Sequence, residues 1–577
     1  MTLRPHQLEA TDSVVRYLQT PPGGRIPPHG LRTQVVAATG SGKTLIAVES
    51  AHRLAARRLL VLVPTLDLLT QTAAAWRQGG RHGAMVGVCS LRAPESEGIP
   101  CTTAADELVA WVRDLEQVTV FATYAAVGLG VLQRAHEGGL AVWDLMVVDE
   151  AHRTSGDAGK PWAVVHDQAR IPAVRRLYMT ATARVWEADG AGPRLVASMD
   201  EDSPVFGPVA YKLKLSEAIR RQIVAPYQVV CIDIRDPELY AALAAGLAGS
   251  DKVRGARLAA MQTGLLTAAA DERLRRVLAF HSRVSEAEAM AAGIPGVAAE
   301  LRETDPQRFP PSQRVWAQWL YGEHSPAHRR QMLDTFASDF ITGEHPDIPA
   351  ALRVLSSVKV LGEGVDTAQC DAVFFCDARG SMVDIVQMVG RALRMHPGEG
   401  KIASLVVPVF LGPDESPDEM LTSSAYETLA KILTALRAHD TETIEALADP
   451  RIRNSRPDHA EDSEQASGAA RFEDQDAASG GEAAAVSAAA AGLLRFSEER
   501  DPATLARFVR LRVIDPENAY WRRGIEAATH WLRETGQRTA RALHLHRAGR
   551  PAGHRRISTR SMAGRPTPLL QRRHPRG

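Results

Sequence analysis

The sequence is poor in cysteine and contains no closely spaced cysteine pair. Only five cysteines occur in 577 residues, and they are Cys89, Cys101, Cys231, Cys370 and Cys376. Structural zinc sites and disulfide frameworks both require cysteines at regular, usually paired, spacings. The sequence therefore predicts reduced thiols, with neither a zinc site nor a disulfide framework.

Net charge and long apolar runs are also missing. The 68 Lys and Arg residues balance the 68 Asp and Glu residues, so no overall basic field indicates nucleic acid, although a local groove of arginines would be enough to bind it. The run AAAVSAAAAGLL from Ala483 is too short and too rich in alanine to span a bilayer, and MTLRPHQLEA contains no apolar signal segment. We expect a cytoplasmic protein.

Apolar runs of strand length alternate with helical stretches through most of the chain. They occupy residues 33–39, 58–64, 118–124, 145–152 and 175–182, and then 227–234, 275–282, 351–358, 370–378 and 401–411. Runs that are apolar throughout are typical of parallel strands covered by helices on both faces. Because the chain is too long for one core, the pattern predicts two α/β domains in tandem that meet near residues 205–225.

The segment AATGSGKT, residues 37–44, lies between an apolar run and a helix, as a phosphate-binding loop does. Its backbone N–H groups can surround a phosphate at the positive end of the helix, and glycine permits the backbone angles needed. Lys43 is expected to reach the β- and γ-phosphates, and the Thr44 hydroxyl to bind Mg²⁺. The predicted loop residues are Thr39, Gly40, Ser41, Gly42, Lys43 and Thr44.

Two carboxylates follow a buried strand in VVDEAH, residues 147–152. The end of such a strand is where open α/β sheets bind ligands. We expect Asp149 to hold Mg²⁺ and Glu150 to act as general base toward the attacking water. His152, together with Thr180 and Thr182 of TAT (180–182), could couple these carboxylates to the other domain.

The segment QMVGRALR, residues 387–394, supplies arginines from the second half of the chain. Gln387, Arg391 and Arg394 share one face at helical spacing, and Gly390 allows that helix to approach another surface closely. Arginines from a second domain stabilise charge on a transferred γ-phosphate. We therefore expect Arg391 and Arg394 to complete the site that begins at Lys43.

In this order, the motifs resemble those of superfamily 2 helicases and translocases of the DEAD/DEAH-box type, over residues 1 to 440. LRPHQLEA resembles the adenine-reading motif, which implies Gln7 on the base and Arg4 nearby. SSVKVLGEGVDTAQCDAVFF (356–375) resembles motif V, which implies Asp366 near the ribose and Gly364 near the nucleic-acid backbone. Segments 63–72, 122–124 and 278–288 resemble motifs Ia, Ib and IV. HSPAHRRQMLDTF (324–336) is similar to the segment that follows motif IV, with Arg329 and Phe336 at the usual separation.

Finer features resemble a bacterial branch that carries helicase-associated repeats and is related to the motors of type I and type III restriction enzymes. These features are RTSGDAGKPWAVVHD, VFGPVAYKLKLSEAIRRQIVAPYQVV and NAYWRRGIEAATHWLRETG. The resemblance implies two tandem RecA-like parallel-sheet domains, an ATP-binding domain over 1–215 and a C-terminal helicase domain over 216–445. It also implies a bacterial, nucleoid-associated protein.

The last part of the chain differs in composition from the two domains. Residues 446–492 are acidic and rich in small residues, which predicts a disordered linker. Residues 493–536 are predicted to be a partial helicase-associated helical segment. The tail, 537–577, has many arginines and no Asp or Glu, which predicts a disordered basic end or a truncated or frame-shifted one.

The resemblance implies a helicase or translocase that hydrolyses ATP with Mg²⁺ and moves along nucleic acid, with DNA favoured over RNA. Closure of two domains on one nucleotide would drive the movement. Two alternatives stay open. One is a double-strand DNA translocase or restriction motor that does not separate strands. The other is a degenerate helicase-like protein that binds nucleic acid without hydrolysis.

Overall fold

The computed structural model describes most of the chain up to residue 516. The described residues are 3–20, 24–93, 95–157, 160–183, 196–244, 250–341, 347–358, 370–377, 382–394, 400–412, 415–416, 419–421, 423–450, 490, 493–498 and 500–516. The basic tail and most of the acidic linker predicted from the sequence lie outside this range. No helix within the described residues is both long enough and apolar enough to cross a bilayer.

The first domain is built on a nine-stranded sheet within the described residues, in the order β10-β11-β1-β8-β6-β2-β5-β3-β4. Its strands are β1 (Leu31–Ala37), β2 (Arg58–Val63), β3 (Ala84–Val88), β4 (Cys101–Thr102), β5 (Val118–Thr123), β6 (Leu145–Val148), β8 (Arg175–Thr180), β10 (Asp202–Ser203) and β11 (Gly207–Leu213). The strands β7 (Gly156–Asp157) and β9 (Val196–Ala197) form a separate pair. All neighbours in the large sheet are parallel except β10 and β11.

Helices connect and cover the strands of this sheet. They are α1 (Pro5–Leu18), α2 (Lys43–Arg53), α3 (Leu66–Gln78), α4 (Ala105–Val112), α5 (Tyr124–Gly128), α6 (Val131–Glu137) and α7 (Leu215–Arg220), with 3₁₀ turns at Ala151–Thr154 and Pro161–His166. The strand β5 is buried at every position, as expected for a parallel strand covered on both faces.

The second domain has a seven-stranded parallel sheet within the described residues, in the order β14-β17-β13-β18-β19-β12-β20. Its strands are β12 (Tyr227–Arg235), β13 (Arg276–Phe280), β14 (Val315–Tyr321), β17 (Leu352–Val358), β18 (Ala372–Phe375), β19 (Ala403–Leu411) and β20 (Leu494–Phe496). A small hairpin joins β15 (Phe340–Ile341) to β16 (Ile348–Pro349).

The second sheet is also flanked by helices. They are α8 (Pro237–Ala244), α9 (Asp251–Asp271), α10 (Val284–Thr304), α11 (Pro326–Ala337), α12 (Met382–Ala392), α13 (Glu427–Arg437), α14 (Thr441–Ala446) and α15 (Pro502–Phe508), followed by a π-helical turn at Val509–Ile514. Short 3₁₀ turns lie at Ser312–Arg314, Glu419–Leu421 and Ser424–Tyr426. These two parallel α/β sheets in tandem confirm the predicted RecA-like architecture.

The first part of the predicted helical segment, 493–536, begins with a strand and continues as a helix against the second domain. Leu494–Phe496 forms β20, which pairs in parallel with β12 at the edge of the second sheet. The α15 helix then packs on the same domain through Leu505 and Phe508, which belong to its buried core. Sequence pattern alone did not predict this because a strand of three residues is too short to show a period. The remaining residues of the predicted segment, 517–536, lie outside the described residues.

Candidate functional site

The loop between β1 and α2 has the backbone shape of a phosphate-binding loop. Gly40 and Gly42 both have left-handed backbone angles, with φ of 86° and 81°. A side chain at position 42 would also meet Gln7, because a Cβ there would lie 2.3 Å from Gln7 Nε2. The left-handed backbone therefore favours glycine at position 42, and a larger residue there would also displace the amide end of Gln7.

The first helix braces this loop from behind. His6 Nε2 lies 2.8 Å from the Ser41 carbonyl oxygen, and Gln7 Nε2 donates to the same oxygen at 3.2 Å. Gln7 Oε1 in turn accepts from the backbone N–H of Arg4 at 2.9 Å. Gln7 thus positions the loop in this structure, whereas its predicted contact with adenine remains a prediction. His6 was not identified from the sequence; its burial lowers the pKa of the imidazole, which favours the neutral ring.

The polar groups of the loop fit a phosphate ligand. The Ser41 hydroxyl is buried and finds no hydrogen-bond partner among the described residues. Lys43 Nζ donates to the carbonyl oxygen of Ala37 at 3.1 Å, which keeps the ammonium group folded over the loop. Lys43 and Thr44 begin α2 and are only partly buried. An anion in the cradle would give the orphaned hydroxyl a partner.

The two carboxylates stand at the end of β6, on the same edge of the sheet. The backbone N–H of Asp149 donates to the carbonyl oxygen of Leu62 at 3.0 Å, and the Tyr124 hydroxyl donates to the carbonyl oxygen of Asp149 at 2.6 Å. The next residue, Glu150, has a left-handed backbone with φ of 48°. A non-glycine residue in this region is strained and is more frequent at functional sites.

A short polar chain joins the segment VVDEAH after β6 to the end of β8. His152 Nδ1 lies 3.3 Å from Glu150 Oε2 and 3.0 Å from Thr180 Oγ1. The backbone N–H of Thr182 donates to the same Thr180 oxygen at 3.0 Å. The predicted coupling residues therefore lie in one network, although the Thr182 hydroxyl finds no partner among the described residues.

The charge state of Glu150 follows from its surroundings. Burial would raise the pKa of this carboxyl, but the hydrogen bond with His152 and the positive charge of Lys43 together outweigh burial and lower the pKa. The carboxylate form is therefore favoured at neutral pH. The action of Lys43 on Glu150 also indicates that the two motifs share one electrostatic environment.

The helix α12 of the second domain lies directly against the phosphate-binding loop. A Cβ at Gly390 would lie 2.7 Å from the Cβ of Thr39, and a Cβ at Gly40 would lie 3.6 Å from Cγ of Arg394. The predicted close approach at Gly390 is confirmed, and it is made to the loop itself. The backbone N–H of Ala225 donates to the Leu393 carbonyl oxygen at 2.9 Å, so α12 is also tied to the segment that connects the domains.

Four of the predicted site residues lie wholly or partly outside the described part of the structure. Gln387 and Arg391 belong to α12, but their side chains lie outside the described part of the structure. Gly364 and Asp366 fall between residues 358 and 370, outside the described residues. Their roles remain predictions from the motif resemblance.

A cavity of about 180 Å³ lies between the two domains beside the loop. Thr39, Ala181 and Gly390 border it, so the phosphate-binding loop, the TAT segment and α12 face one common space. Most of its other lining residues are apolar. The interface is therefore not fully packed at the place where the three motifs meet.

Two ion pairs join the domains farther along the junction. Arg329 Nη2 donates to Asp67 Oδ1 at 2.8 Å, and Arg330 Nη2 lies 2.6 Å from Glu97 Oε1. Asp67 stands in the first turn of α3, whose N-terminus is capped by Thr65, and the arginines follow the Ser325 cap of α11. Only Arg329 was singled out in the sequence. Its partner could not be found there because the two residues lie 262 positions apart.

Models of two protein families match the chain. The first, described as the res subunit of type III restriction enzymes, matches residues 1–185. The second, described as the helicase conserved C-terminal domain, matches residues 265–396. The first match contains the phosphate-binding loop and both carboxylates, and the second contains α12.

The chain is also similar to curated proteins of a virus. It is 24% identical over 418 residues to "Probable helicase A859L" of African swine fever virus (isolate Tick/South Africa/Pretoriuskop Pr4/1996). This alignment covers 71% of the chain but only 42% of the relative. The chain therefore aligns with less than half of the length of that protein.

Solved structures of restriction enzymes share the fold. One is titled "ATP-dependent Type ISP restriction-modification enzyme LlaBIII bound to DNA", with a TM-score of 0.59 and 23% identity, covering 78% of this chain and 30% of that one. A nuclease-deletion mutant of the Type ISP enzyme LlaGI, in complex with a DNA substrate mimic, has a TM-score of 0.51 and 22% identity over 78% of this chain and 29% of that one.

Family models, fold and motif geometry agree with one another. The first matched model covers most of the first domain and the second covers much of the second domain, and α12 of the second domain meets the phosphate-binding loop of the first at Gly390 and Thr39. Residues 1–185 and 265–396 are therefore similar to the res subunit of type III restriction enzymes and to the helicase conserved C-terminal domain, in agreement with the motif resemblance to superfamily 2 helicases and restriction-enzyme motors.

Proposed function

We propose that the chain hydrolyses ATP at the domain interface and uses the energy to move along or unwind nucleic acid. The observation that carries this proposal is the contact between α12 and the phosphate-binding loop at Gly390 and Thr39. A nucleotide held by that loop would meet groups from both domains. Binding and release of its γ-phosphate would then shift one domain against the other, because only the closed arrangement makes all the contacts.

Each predicted residue has a defined task in this proposal. Lys43 and the loop N–H groups hold the phosphates, and Glu150 accepts a proton from the attacking water. Arg391 and Arg394 stabilise negative charge on the transferred phosphoryl group. A Mg²⁺ ion, held by Thr44 and Asp149, would supply further charge neutralisation. His152 and Thr180 keep the Glu150 carboxylate oriented through the network described above.

DNA is the nucleic acid that we favour. The related structures are titled as DNA complexes of restriction-modification enzymes, and the viral relative is named a helicase. The likeness of fold to those enzymes supports the double-strand translocase as a second candidate. A bacterial, cytoplasmic location remains a prediction, and the viral relatives do not support the bacterial part of it.

The decisive test is the rate of phosphate release from ATP with single- and double-stranded DNA and RNA. We expect DNA to stimulate release and RNA to stimulate it less. A fluorescent-duplex displacement assay beside a triplex-displacement assay separates the two candidates, since a strand separator opens the duplex while a double-strand translocase removes only the third strand. A rate unaffected by every nucleic acid would contradict the proposal.

Substitution of Gly390 by alanine tests the contact between the domains. The added methyl group would lie 2.7 Å from the Cβ of Thr39, so α12 must move away from the loop. Because small displacements of catalytic groups are costly, we expect stimulated ATP hydrolysis to fall on the order of 10²-fold.

A matched control exists in the same domain. Gly255 lies in α9, and a Cβ there meets nothing within 4 Å. Gly255→Ala should keep the wild-type rate and gain about 0.5–1 kcal/mol of stability. If Gly390→Ala and Gly255→Ala were equally active, the contact at Gly390 would not matter for hydrolysis.

A further inference from the structure

The edge strand β14 carries two aromatic side chains that its domain does not use for packing. Val315 and Ala317 contribute to one hydrophobic core, while Trp316 and Leu320 contribute to another. Within the described residues, Trp319 and Tyr321 belong to neither of these cores. Single rings at a surface are ordinary, whereas apolar side chains that form a contiguous patch often mark a binding site.

These two rings begin a continuous series of stacked and edge-on rings. Trp319 and Tyr321 stack with centroids 5.4 Å apart, and His324 lies 4.8 Å from the first and 4.4 Å from the second. His328 follows at 4.6 Å from His324. All four side chains are half-buried. We call this series, Trp319, Tyr321, His324 and His328, the aromatic ladder.

The aromatic ladder ends at the junction between the domains. Arg329 Nη1 donates to the carbonyl oxygens of Gly322 and His324, at 3.0 Å and 2.8 Å. Its other terminal nitrogen, Nη2, donates to Asp67 of the first domain, which lies within the segment that resembles motif Ia. The ladder therefore lies beside the surface over which a strand would cross from one domain to the other.

The charges next to the ladder suit a polyanion. Arg329 and Arg330 are adjacent, and Arg330, whose side chain is 47% exposed, is held by a carboxylate that a phosphate group could replace. Proteins that bind single-stranded nucleic acid combine aromatic rings with nearby arginines. The bases stack on the rings, and the phosphates contact the arginines. His324 Nδ1 also lacks a hydrogen-bond partner among the described residues. A folded protein partner would need a broader apolar surface than four rings offer.

We propose that the aromatic ladder is a stacking site for unpaired bases of a nucleic-acid strand. The inference rests on the proposed function in one respect, namely that nucleic acid is the partner. It adds a contact to bases, which phosphate-binding motifs do not make. Paired bases in a duplex cannot offer their faces, so the ladder would favour the separated strand. This site therefore favours strand separation over double-strand translocation.

The test compares oligothymidine with an abasic strand of the same length and the same label. Both strands carry the same phosphates, and only the first has bases to stack. With the full chain, fluorescence anisotropy should show about tenfold tighter binding of oligothymidine. Trp319→Ala should remove most of this preference, while the affinity for the abasic strand and its dependence on salt stay unchanged. Trp319→Phe should retain the preference, since it keeps a ring.

Two controls make the result decisive. Trp162 is an exposed tryptophan of the first domain, and Trp162→Ala should leave the preference unchanged. The melting temperature of Trp319→Ala should stay close to that of the wild type, because the side chain is outside the cores. If Trp319→Ala keeps the full preference for oligothymidine, the stacking proposal is wrong. It is also wrong if the wild type binds both strands equally while DNA still stimulates its ATP hydrolysis. Neither result contradicts the proposed function. Absence of all nucleic-acid binding overturns the proposed function.

Discussion

Replacing Glu150 by glutamine is expected to lower nucleic-acid-stimulated phosphate release by about 10²- to 10⁴-fold, the usual contribution of a general base. ATP binding should be nearly unchanged, because the phosphate-binding loop stays intact. The left-handed backbone at this position is no harder for glutamine than for glutamate. Single-turnover release of labelled phosphate measures the rate, and a fluorescent nucleotide analogue measures binding.

The chemical reason lies in the network around the carboxylate. His152 and Lys43 lower the pKa of Glu150 although burial opposes them, so the group is ionised and can accept a proton. Glutamine keeps the shape of glutamate but is uncharged, so it cannot accept the proton of the attacking water. It would still accept a hydrogen bond from the imidazole at His152, so the fold should survive.

Two further variants separate the possible outcomes. Lys43→Ala should abolish hydrolysis and weaken nucleotide binding, while Glu116→Gln, a change at a side chain that is 90% exposed, should have no effect. If Glu150→Gln hydrolysed ATP like the wild type but Lys43→Ala did not, another group would be the base. If Lys43→Ala kept the full rate, the protein would be a binding module without hydrolysis at this site.

Loss of Arg500 is expected to be the most destabilising single change in the second domain, at about 3–5 kcal/mol. Arg500 Nη2 lies 2.6 Å from Asp233 Oδ1, and the two side chains are only 1% and 2% exposed. Arg500 also donates to the Tyr426 hydroxyl and lies over the ring of Phe496. In Arg500→Ala the Asp233 carboxylate would stay buried without its cation.

A neighbouring pair on the same two chain segments provides the control. Arg235 and Glu498 form an ion pair at 3.0 Å, but their side chains are 32% and 43% exposed. Glu498→Gln should therefore cost less than about 1 kcal/mol. By thermal denaturation we expect a decrease of about 10 °C for Arg500→Ala and little change for Glu498→Gln. Equal small shifts would show that the buried pair contributes no more than the exposed one.

The difference between Arg500→Ala and wild type should also depend on pH. Burial raises the pKa of Asp233 even in the presence of Arg500, and removal of the cation should raise it further. A group with a folded-state pKa above its unfolded value favours folding at low pH, and this contribution is lost as the pH rises through the folded-state pKa. The difference in free energy of unfolding between wild type and Arg500→Ala should therefore become smaller as the pH falls and Asp233 becomes protonated.

The parts of the molecule that depend on local sequence were predictable, and the parts that depend on distant contacts were not. A phosphate-binding loop and the end of a strand each need only a few consecutive residues. The local sequence was therefore enough to predict the glycines at 40 and 42 and the carboxylates after β6. The sequence predicted that Gly390 approaches another surface closely. It could not predict that this surface is Thr39, because the contact depends on how the two domains pack.

Other features lacked any local signal. The pair between Asp67 and Arg329 and the pair between Asp233 and Arg500 each join residues more than 250 positions apart. Gln7 could be matched to a motif by its sequence context, yet its hydrogen bond to the Ser41 carbonyl oxygen depends on how α1 packs on the loop. The strand β20 was missed for two reasons: its three residues are too few to show a period, and its partner, β12, lies far earlier in the chain.

The position of β20 has a consequence for synthesis on the ribosome. The first sheet is complete once β11 has emerged, so that domain can fold early. The second sheet must wait for its last strand, which pairs with a strand made more than 260 residues before it; the Arg500–Asp233 contact spans 267 positions. During that interval the edge of β12 is open to other strands, and chaperones that shield nascent chains should associate with this protein mainly between the synthesis of β19 and that of β20.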